Sequence, residues 1–158
     1  MSAPREPITI LLADDDLDDC LLTQDALEES RLSNDLRLVH DGEELLAYLF
    51  QRGPYAEAGT APRPGVILLD LNMPLMDGRE ALERIKADPT LRRIPVVVLT
   101  TSQAEEDIYR SYDLGASSFI TKPVTFTALV EVMRGLGQYW FEIVQLPPGR
   151  EERPWASR

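Results

Sequence analysis

Short apolar runs alternate with longer segments of helical spacing along most of this chain. Runs with a period of two or less indicate strands, and apolar residues that recur every three to four positions indicate helices. Strict alternation of the two predicts right-handed βαβ units, which build a parallel sheet covered by helices on both faces. We therefore expect an α/β fold with one doubly wound, five-stranded parallel sheet. The predicted strands are 8–13, 36–40, 66–70, 95–100 and 118–121, and the predicted helices are 17–30, one that follows Gly42, 78–87, 104–114 and a long one from about 125.

Acidic side chains stand where two of the predicted strands end. Asp14, Asp15 and Asp16 follow the first strand, and Asp70 ends the third. Because the site of such a fold lies beyond the carboxyl ends of its strands, we expect these carboxylates to lie close together. Like charges at short range raise one another's pKa, and a bound divalent cation relieves that repulsion. A cluster of oxygen ligands favours Mg²⁺ or Mn²⁺, so the sequence predicts a site for one of these ions.

Two further polar side chains follow the last two strands: Thr100 ends the fourth, and Lys122 comes directly after the fifth. Together with the acids they predict phosphoryl transfer onto a carboxylate, with Asp70 as the nucleophile. A metal held by Asp15 and Asp70 would reverse the local field, Lys122 would pair with a phosphoryl oxygen, and Thr100 would donate a hydroxyl. The bond before Pro123 is a candidate cis peptide that could aim the lysine inward. Singly, these residues could be a helix cap, a turn former, a strand residue or a solvated lysine; their occurrence at successive strand ends favours a site.

Composition limits the class of protein. The net charge of −11 over 158 residues argues against a nucleic-acid partner, since binding to a phosphate backbone needs clustered Lys and Arg. No apolar stretch approaches the ~20 residues of a membrane span, and the first residues contain no apolar signal segment, so we expect a cytoplasmic protein. The single cysteine, Cys20, excludes an internal disulfide.

Four segments resemble the receiver domain of two-component response regulators. They are ILLADDD at 10–16, LLDLNMPLMDG at 68–78, PVVVLT at 95–100 and GASSFITKP at 115–123. The resemblance covers about residues 7–140. It implies a single domain with the flavodoxin-like (βα)5 fold and the strand order 2-1-3-4-5.

The resemblance also assigns a role to each acid of the cluster. Asp70 corresponds to the phospho-acceptor. Asp15 corresponds to the acid that binds Mg²⁺ directly, and Asp14 to its neighbour, which acts through a metal-bound water. The backbone carbonyl of Asn72 corresponds to the third protein ligand of the metal.

Three other residues correspond to the parts of the family that respond to phosphorylation. Lys122 matches the lysine that pairs with the phosphoryl group, and Thr100 matches the switch hydroxyl. Phe119 matches the switch aromatic, which is often Tyr in relatives, so a rotamer switch at Phe119 would depend on packing alone. The resemblance implies a single-domain response regulator: a phospho-acceptor for a sensor histidine kinase that signals by conformational change and is not itself an enzyme.

Two features are similar to the small stand-alone regulators that partner bacterial and cyanobacterial phytochrome kinases. One is the connection 51–65, predicted as a long exposed loop, and the other is an apolar C-terminal extension of the fifth helix. We expect a receiver domain over 7–146 and a short flexible tail over 147–158. The resemblance implies a homodimer through the extension, although Trp140 and Phe141 could instead fold back on their own domain. The candidate dimer residues are Tyr139, Trp140, Phe141, Val144 and Leu146.

Three alternatives compete with this interpretation. A phosphohydrolase with an aspartate nucleophile needs a second carboxylate two residues after the first, where this chain has Asn72. A flavin carrier on a similar sheet needs a phosphate loop after the first strand, where the acids would repel the phosphate. A receiver-like adaptor that never takes phosphate would not need the intact acid set. His40, the single histidine, ends the second predicted strand, and we expect it to lie away from the acids.

Overall fold

The structure is a computed structural model that describes residues 8–29, 34–101 and 104–138. Strands and helices alternate strictly along these ranges, as the sequence predicts. The strands are β1 (Ile8–Ala13), β2 (Asn34–Val39), β3 (Val66–Leu69), β4 (Val96–Thr100) and β5 (Ser118–Thr121). The helices are α1 (Leu17–Glu29), α2 (Gly42–Leu49), α3 (Gly78–Ala87), α4 (Glu105–Asp113) and α5 (Phe126–Gly137), and short 3₁₀ turns lie at Gly53–Tyr55 and Leu91–Arg93.

All strand pairs of the sheet are parallel, and the order is β2-β1-β3-β4-β5. The chain leaves β1 toward β2 on one side, and then returns past β1 to form β3 on the other. The topological switch point therefore lies between β1 and β3, where a crevice opens beyond the carboxyl ends of the two strands. The backbone N–H of Asp70 donates to the carbonyl of Ala13 at 2.9 Å, so the first residue after β3 lies beside the end of β1.

The two faces of the sheet carry separate apolar cores. Alternate residues of a strand point to opposite faces, so Leu11 packs in one core and Leu12 in the other. The first core includes residues of α2 and α3, and the second includes residues of α1 and α5. Every residue of β3 and β4 is buried, which is the pattern expected of a parallel sheet covered on both faces.

Side-chain caps fix where α2, α3 and α5 begin. Asp41 accepts a hydrogen bond from the backbone N–H of Glu44 before α2, and Asp77 accepts one from Arg79 before α3. Thr125 caps α5 in the same way. Each cap satisfies a backbone donor that has no partner inside its helix, and so fixes the turn by which the chain leaves the carboxyl edge of the sheet. No helix within the described ranges is both long and apolar enough to cross a membrane.

The connection 51–65 is more structured than the exposed loop that the sequence predicts. It contains a 3₁₀ turn, and Ala61 is 2% exposed. The hydroxyl of Tyr48 donates to the carbonyl of Pro62 at 2.7 Å, and the ring of Tyr55 packs against that of Tyr48 with centroids 5.1 Å apart. The prediction is wrong at these positions because the apolar side chains of the loop cover α2.

Candidate functional site

Three carboxylates converge at the switch point of the sheet. One oxygen from each of Asp14, Asp15 and Asp70 lies within 4.8 Å of the others. Asp14 is 1% exposed and Asp70 is 5% exposed, whereas Asp15 faces solvent. The prediction that the acidic ends of the first and third strands meet is therefore confirmed.

The carboxylate of Asp70 accepts hydrogen bonds at both oxygens. Oδ1 accepts from the hydroxyl of Thr100 at 2.8 Å and from the backbone N–H of Asn72 at 3.0 Å. Oδ2 accepts from Nζ of Lys122 at 2.9 Å. These partners replace the water that the carboxylate loses on burial. The end of β4 and the residue after β5 thus both reach the acid that follows β3.

Lys122 donates to three carboxylates at once. Its Nζ lies 2.6 Å from Asp14, 2.8 Å from Asp19 and 2.9 Å from Asp70. Burial acts to lower the pKa of Lys122, but the three charged hydrogen bonds outweigh it and raise the pKa above its usual value. The side chain is therefore an ammonium ion at neutral pH.

The other acids after β1 have different environments. Burial raises the pKa of Asp14, against the opposing effect of its hydrogen bond from Lys122. Asp16 caps α1: its Oδ1 accepts from the backbone N–H groups of Asp18 at 2.9 Å and Asp19 at 3.1 Å. Asp16 thus starts the helix, while Asp14 and Asp15 belong to the oxygen cluster.

The donor set fits a small, hard divalent cation. The ammonium of Lys122 bonds to Asp14, Asp19 and Asp70, and Asp15 lies beside Asp14 and Asp70, so the site carries an excess of negative charge. The converging atoms of Asp14, Asp15 and Asp70 are all oxygens, the ligands that Mg²⁺ and Mn²⁺ prefer. These three residues would hold such an ion, with Asp15 on the solvent side of the cluster.

The peptide bond before Pro123 is trans, as are the other peptide bonds of the described residues. The candidate cis peptide bond at Pro123 is therefore not observed in this structure. Lys122 reaches the site without it, because its backbone N–H donates to the carbonyl of Thr100 at 2.8 Å and its ammonium is bonded to carboxylates. The trans form is also the more stable one for an X–Pro bond in general.

Phe119 lies in β5 with its side chain partly buried against the core that contains α2 and α3. Its backbone N–H donates to the hydroxyl of Tyr112 in α4 at 3.1 Å. β5 is an edge strand, so Tyr112 satisfies a donor that no neighbouring strand can reach. This contact links α4 to the strand that precedes Lys122.

Sequence reasoning missed two residues beside the site. Asp19 bonds to Lys122, and the signal for it was its position one helical turn after Asp15, in a helix that begins at the site. His40 was expected to lie away from the acids, but its Nδ1 lies 3.2 Å from the carbonyl oxygen of Asp14. The expectation is wrong because β2 pairs in parallel with β1, so both strands end at the same place.

Two predicted features fall outside the described residues. They are the dimer candidates Tyr139, Trp140, Phe141, Val144 and Leu146, and the tail 147–158.

Comparisons with known proteins agree with this geometry. Residues 10–134 match the family described as the response regulator receiver domain. Response regulator Rcp1 of Synechocystis sp. is 43% identical over 141 residues, which are 89% of this chain and 94% of Rcp1. The structure of the Mn²⁺-bound form of Rcp1 has a TM-score of 0.82 and covers 90% of this chain and 100% of its own.

Two further solved structures are similar. The phosphorylated cyanobacterial phytochrome response regulator RcpA is 46% identical, with a TM-score of 0.83 over 90% of this chain and 99% of its own. Response regulator RPA3017, described in red light signalling of R. palustris, is 37% identical, with a TM-score of 0.84 over the same shares of the two chains.

Proposed function

Because this chain belongs to the response regulator receiver domain family, we propose that Asp70 accepts a phosphoryl group from a sensor histidine kinase. The observation that carries the proposal is the environment of the Asp70 carboxylate. It is bonded both to Lys122 and to Thr100, and it lies beside Asp14 and Asp15 at the switch point of the sheet.

The proposed reaction is a direct transfer between two side chains. An oxygen of the Asp70 carboxylate attacks the phosphorus of a phosphohistidine, the P–N bond breaks, and its electron pair returns to the imidazole nitrogen of the kinase. The incoming group is anionic, and Asp14 and Asp15 would repel it. The ammonium of Lys122 donates to a phosphoryl oxygen, and the hydroxyl of Thr100 is close enough to Asp70 to donate to another.

The proposed cofactor is Mg²⁺, with Mn²⁺ as the alternative. Asp15, Asp70 and the backbone carbonyl of Asn72 would bind it, and Asp14 would act through a bound water. When bound, the ion supplies positive charge to the phosphoryl oxygens. The oxygen-only cluster of this chain and the manganese ion in the structure of Rcp1 support the assignment.

Thr100 and Phe119 are proposed as the residues that report phosphorylation. The hydroxyl of Thr100 would exchange its hydrogen bond to Asp70 for one to the phosphoryl group. This movement would leave space beside the end of β4. Phe119 has no hydroxyl, so its response would be a change in packing against the core. Its backbone contact with Tyr112 supports a connection from this strand to α4.

The proposed donor is a phytochrome histidine kinase, since RcpA is described as a phytochrome response regulator. Three exposed apolar side chains are close in sequence to site residues: Leu17 is 64% exposed, Leu75 is 75% exposed, and Val124 is fully exposed. Leu17 follows the acids after β1, Leu75 lies in the loop after Asp70, and Val124 follows the Lys122-Pro123 pair. Apolar residues around a charged centre suit a protein donor better than a small phosphate ester.

The remaining parts of the proposal concern the whole protein. We propose a cytoplasmic protein with a receiver domain over 7–146 and a short flexible tail over 147–158. It would be a homodimer through the segment that contains Trp140 and Phe141, and its only catalysis would be its own phosphorylation and dephosphorylation. Sedimentation with and without beryllofluoride, a mimic of the phosphoryl group, tests for the dimer. The dimer proposal is wrong if both forms sediment as monomers.

Replacing Asp70 tests the acceptor. Incubation with acetyl phosphate and Mg²⁺ should add one phosphoryl group to the native protein, detected as an 80 Da increase in intact mass that is typical of one such group. Asp70→Asn should abolish this labelling, because an amide cannot form the acyl phosphate. Asp25→Asn changes an exposed acid of α1 by the same chemistry and should label like the native protein. Labelling of the Asp70 variant at the native rate would assign the acceptor to another residue.

A further inference from the structure

The geometry points to Asp19 as a positioning residue that holds Lys122 in place during phosphoryl transfer. This inference rests on the proposed function and adds to it a residue that the sequence motifs of the site do not include. Its basis is the salt bridge between Oδ2 of Asp19 and Nζ of Lys122, at 2.8 Å.

The ammonium of Lys122 has three N–H donors, and three carboxylates receive them. The Lys122 side chain is 11% exposed and that of Asp19 is 33% exposed, so the pair lies at the rim of the crevice and is partly shielded from water. A lysine side chain has four rotatable bonds and loses much rotamer freedom when its end is fixed. The position of Nζ therefore depends on how many of these contacts survive the reaction.

Two of the three contacts are weakened by the chemistry itself. Once Asp70 carries a phosphoryl group, its carboxylate becomes an acyl phosphate and loses its negative charge. Asp14 belongs to the group of oxygens that converges as a cation site, so an ion there competes with Lys122 for it. Asp19 is not part of that converging group, and the phosphoryl group does not bond to it. It is the partner that can hold the ammonium beside the pocket while the other two are engaged.

The backbone holds Asp19 rigidly relative to the site. Its N–H donates to Oδ1 of Asp16 at 3.1 Å, and the next N–H, of Cys20, donates to the carbonyl of Asp16 at 3.0 Å. Cys20 is buried, and its Sγ lies 3.4 Å from the carbonyl of Asp14. Hydrogen bonds thus connect the first turn of α1 to the end of β1. They fix the position of the Asp19 backbone at the side of the crevice. An anion in this first turn is also favoured by the helix dipole.

The test compares three variants of α1. Asp19→Asn removes the charge that holds Lys122. Asp18→Asn removes the same charge from the same helical turn, at an exposed position. Asp19→Glu restores a carboxylate that can reach Nζ. For each protein, the second-order rate constant for labelling by acetyl phosphate is measured at saturating Mg²⁺, and the dissociation constant for Mg²⁺ is measured separately.

Asp19→Asn should lower the rate constant about tenfold, the effect expected for one charge-assisted hydrogen bond at a partly exposed position. Its dissociation constant for Mg²⁺ should match that of Asp18→Asn, since both lose one charge near the site. Asp18→Asn should label within about twofold of the native rate, and Asp19→Glu should recover most of the loss. A general loss of structure would instead change metal binding together with the rate.

Three results would overturn the inference. The first is equal labelling of the Asp19→Asn and Asp18→Asn proteins. The second is a dissociation constant for Mg²⁺ that is raised in Asp19→Asn but not in Asp18→Asn, which would make the loss an effect on metal binding. The third is an Asp19→Glu protein as slow as Asp19→Asn, which would indicate a requirement of the helix and not of the carboxylate. Failure of the native protein to label at Asp70 would instead contradict the proposed function, and so the two failures are distinguishable.

Discussion

Two clusters of charged side chains lie near α3 in the fold. They differ in the balance between positively and negatively charged groups. At the carboxyl edge of the sheet, three carboxylates bond to the ammonium of Lys122, and the carboxylate of Asp15 lies beside two of them. Between α3 and α4, the guanidinium of Arg79 forms two parallel hydrogen bonds to Asp107, at 2.8 and 2.6 Å, and a third to Asp77 at 3.0 Å. The first cluster has four carboxylates for one cation, and the second has two carboxylates for one cation, so the surplus of negative charge is larger in the first.

This difference separates a site from a structural contact. The planar fork of Arg79 matches the Asp107 carboxylate, and the hydrogen bond from Asp107 is the main cause of the raised pKa of Arg79. That cluster is complete within the chain and joins two helices. The carboxyl-edge cluster has one ammonium bonded to three carboxylates, with Asp15 beside them, so it keeps a surplus of negative charge. A surplus of one charge in a partly buried cluster is costly, so this arrangement is better explained by function than by stability.

The largest effect is expected at Gly78, which begins α3 between the two clusters. A Cβ at this position would overlap the backbone carbonyl of Asp70 and the Cα of Leu71. Gly78→Ala should therefore lower the free energy of unfolding by about 3 kcal/mol, measured by urea denaturation, and should slow labelling of Asp70 as well. Gly135→Ala is the matched control in α5, where a Cβ meets no atom within 4 Å. It should raise stability by up to about 1 kcal/mol. Similar values for the two variants would contradict the packing argument.

The next largest change in stability is expected at Arg79. It tests whether the Arg79 cluster stabilises the fold. Arg79→Met leaves the Asp107 carboxylate, which is 15% exposed, without its bidentate partner. We expect a loss of about 2 kcal/mol in the free energy of unfolding. Arg84→Met removes an arginine of the same helix whose ion pair with Glu80 is more than half exposed, and it should cost less than about 0.5 kcal/mol. Equal losses would mean that the α3–α4 contact adds nothing beyond a surface ion pair.

The smallest change in the free energy of unfolding is expected at Asp14, and it is a gain in stability, whereas the changes at Gly78 and Arg79 are losses. Burial disfavours its charged form, so Asp14→Asn should raise the free energy of unfolding by roughly 1 kcal/mol at pH 7 without metal, as expected when a functional site is neutralised. Excess Mg²⁺ should reverse the order of the two proteins, because it stabilises the native protein by binding to its folded state. Thermal unfolding with and without Mg²⁺ measures both effects.

The pH dependence of the Asp14 effect follows from the raised pKa. In the folded protein Asp14 binds its proton more tightly than in the unfolded chain. The resulting stabilisation is complete below the ordinary pKa of 3.8 and is lost as the pH rises through the raised value. The advantage of Asp14→Asn should therefore grow from acid to neutral pH. A constant difference in stability between the two proteins across this range would contradict the argument that burial of the Asp14 charge destabilises the fold.

Most of the fold and the centre of the site could be predicted because they depend on local patterns. The alternation of apolar runs located every strand to within about two residues, and α3 was predicted with its observed bounds. Asp14, Asp15, Asp70, Thr100 and Lys122 could be identified because each follows or ends a strand, and parallel strands end at one edge.

The errors concern contacts between elements that are distant in sequence. His40 lies beside the carbonyl of Asp14, 26 residues away, because β2 pairs with β1. The loop 51–65 packs on α2 through Tyr48, Tyr55 and Ala61, whereas its glycines and prolines alone suggested exposure. Such contacts depend on the packing of whole elements, which a local pattern does not encode.

The sequence by itself determined the order of strands and helices and which residues stand at the strand ends, since periodicity and chain position are properties of neighbouring residues. Only the tertiary structure decided that Lys122 is shared among Asp14, Asp19 and Asp70. Asp19 and Lys122 are 103 residues apart, and they meet because the rotation of α1 about its axis directs one carboxylate into the crevice. That rotation is set by the packing of α1 against the sheet and α5, so it emerges only when the whole chain is folded.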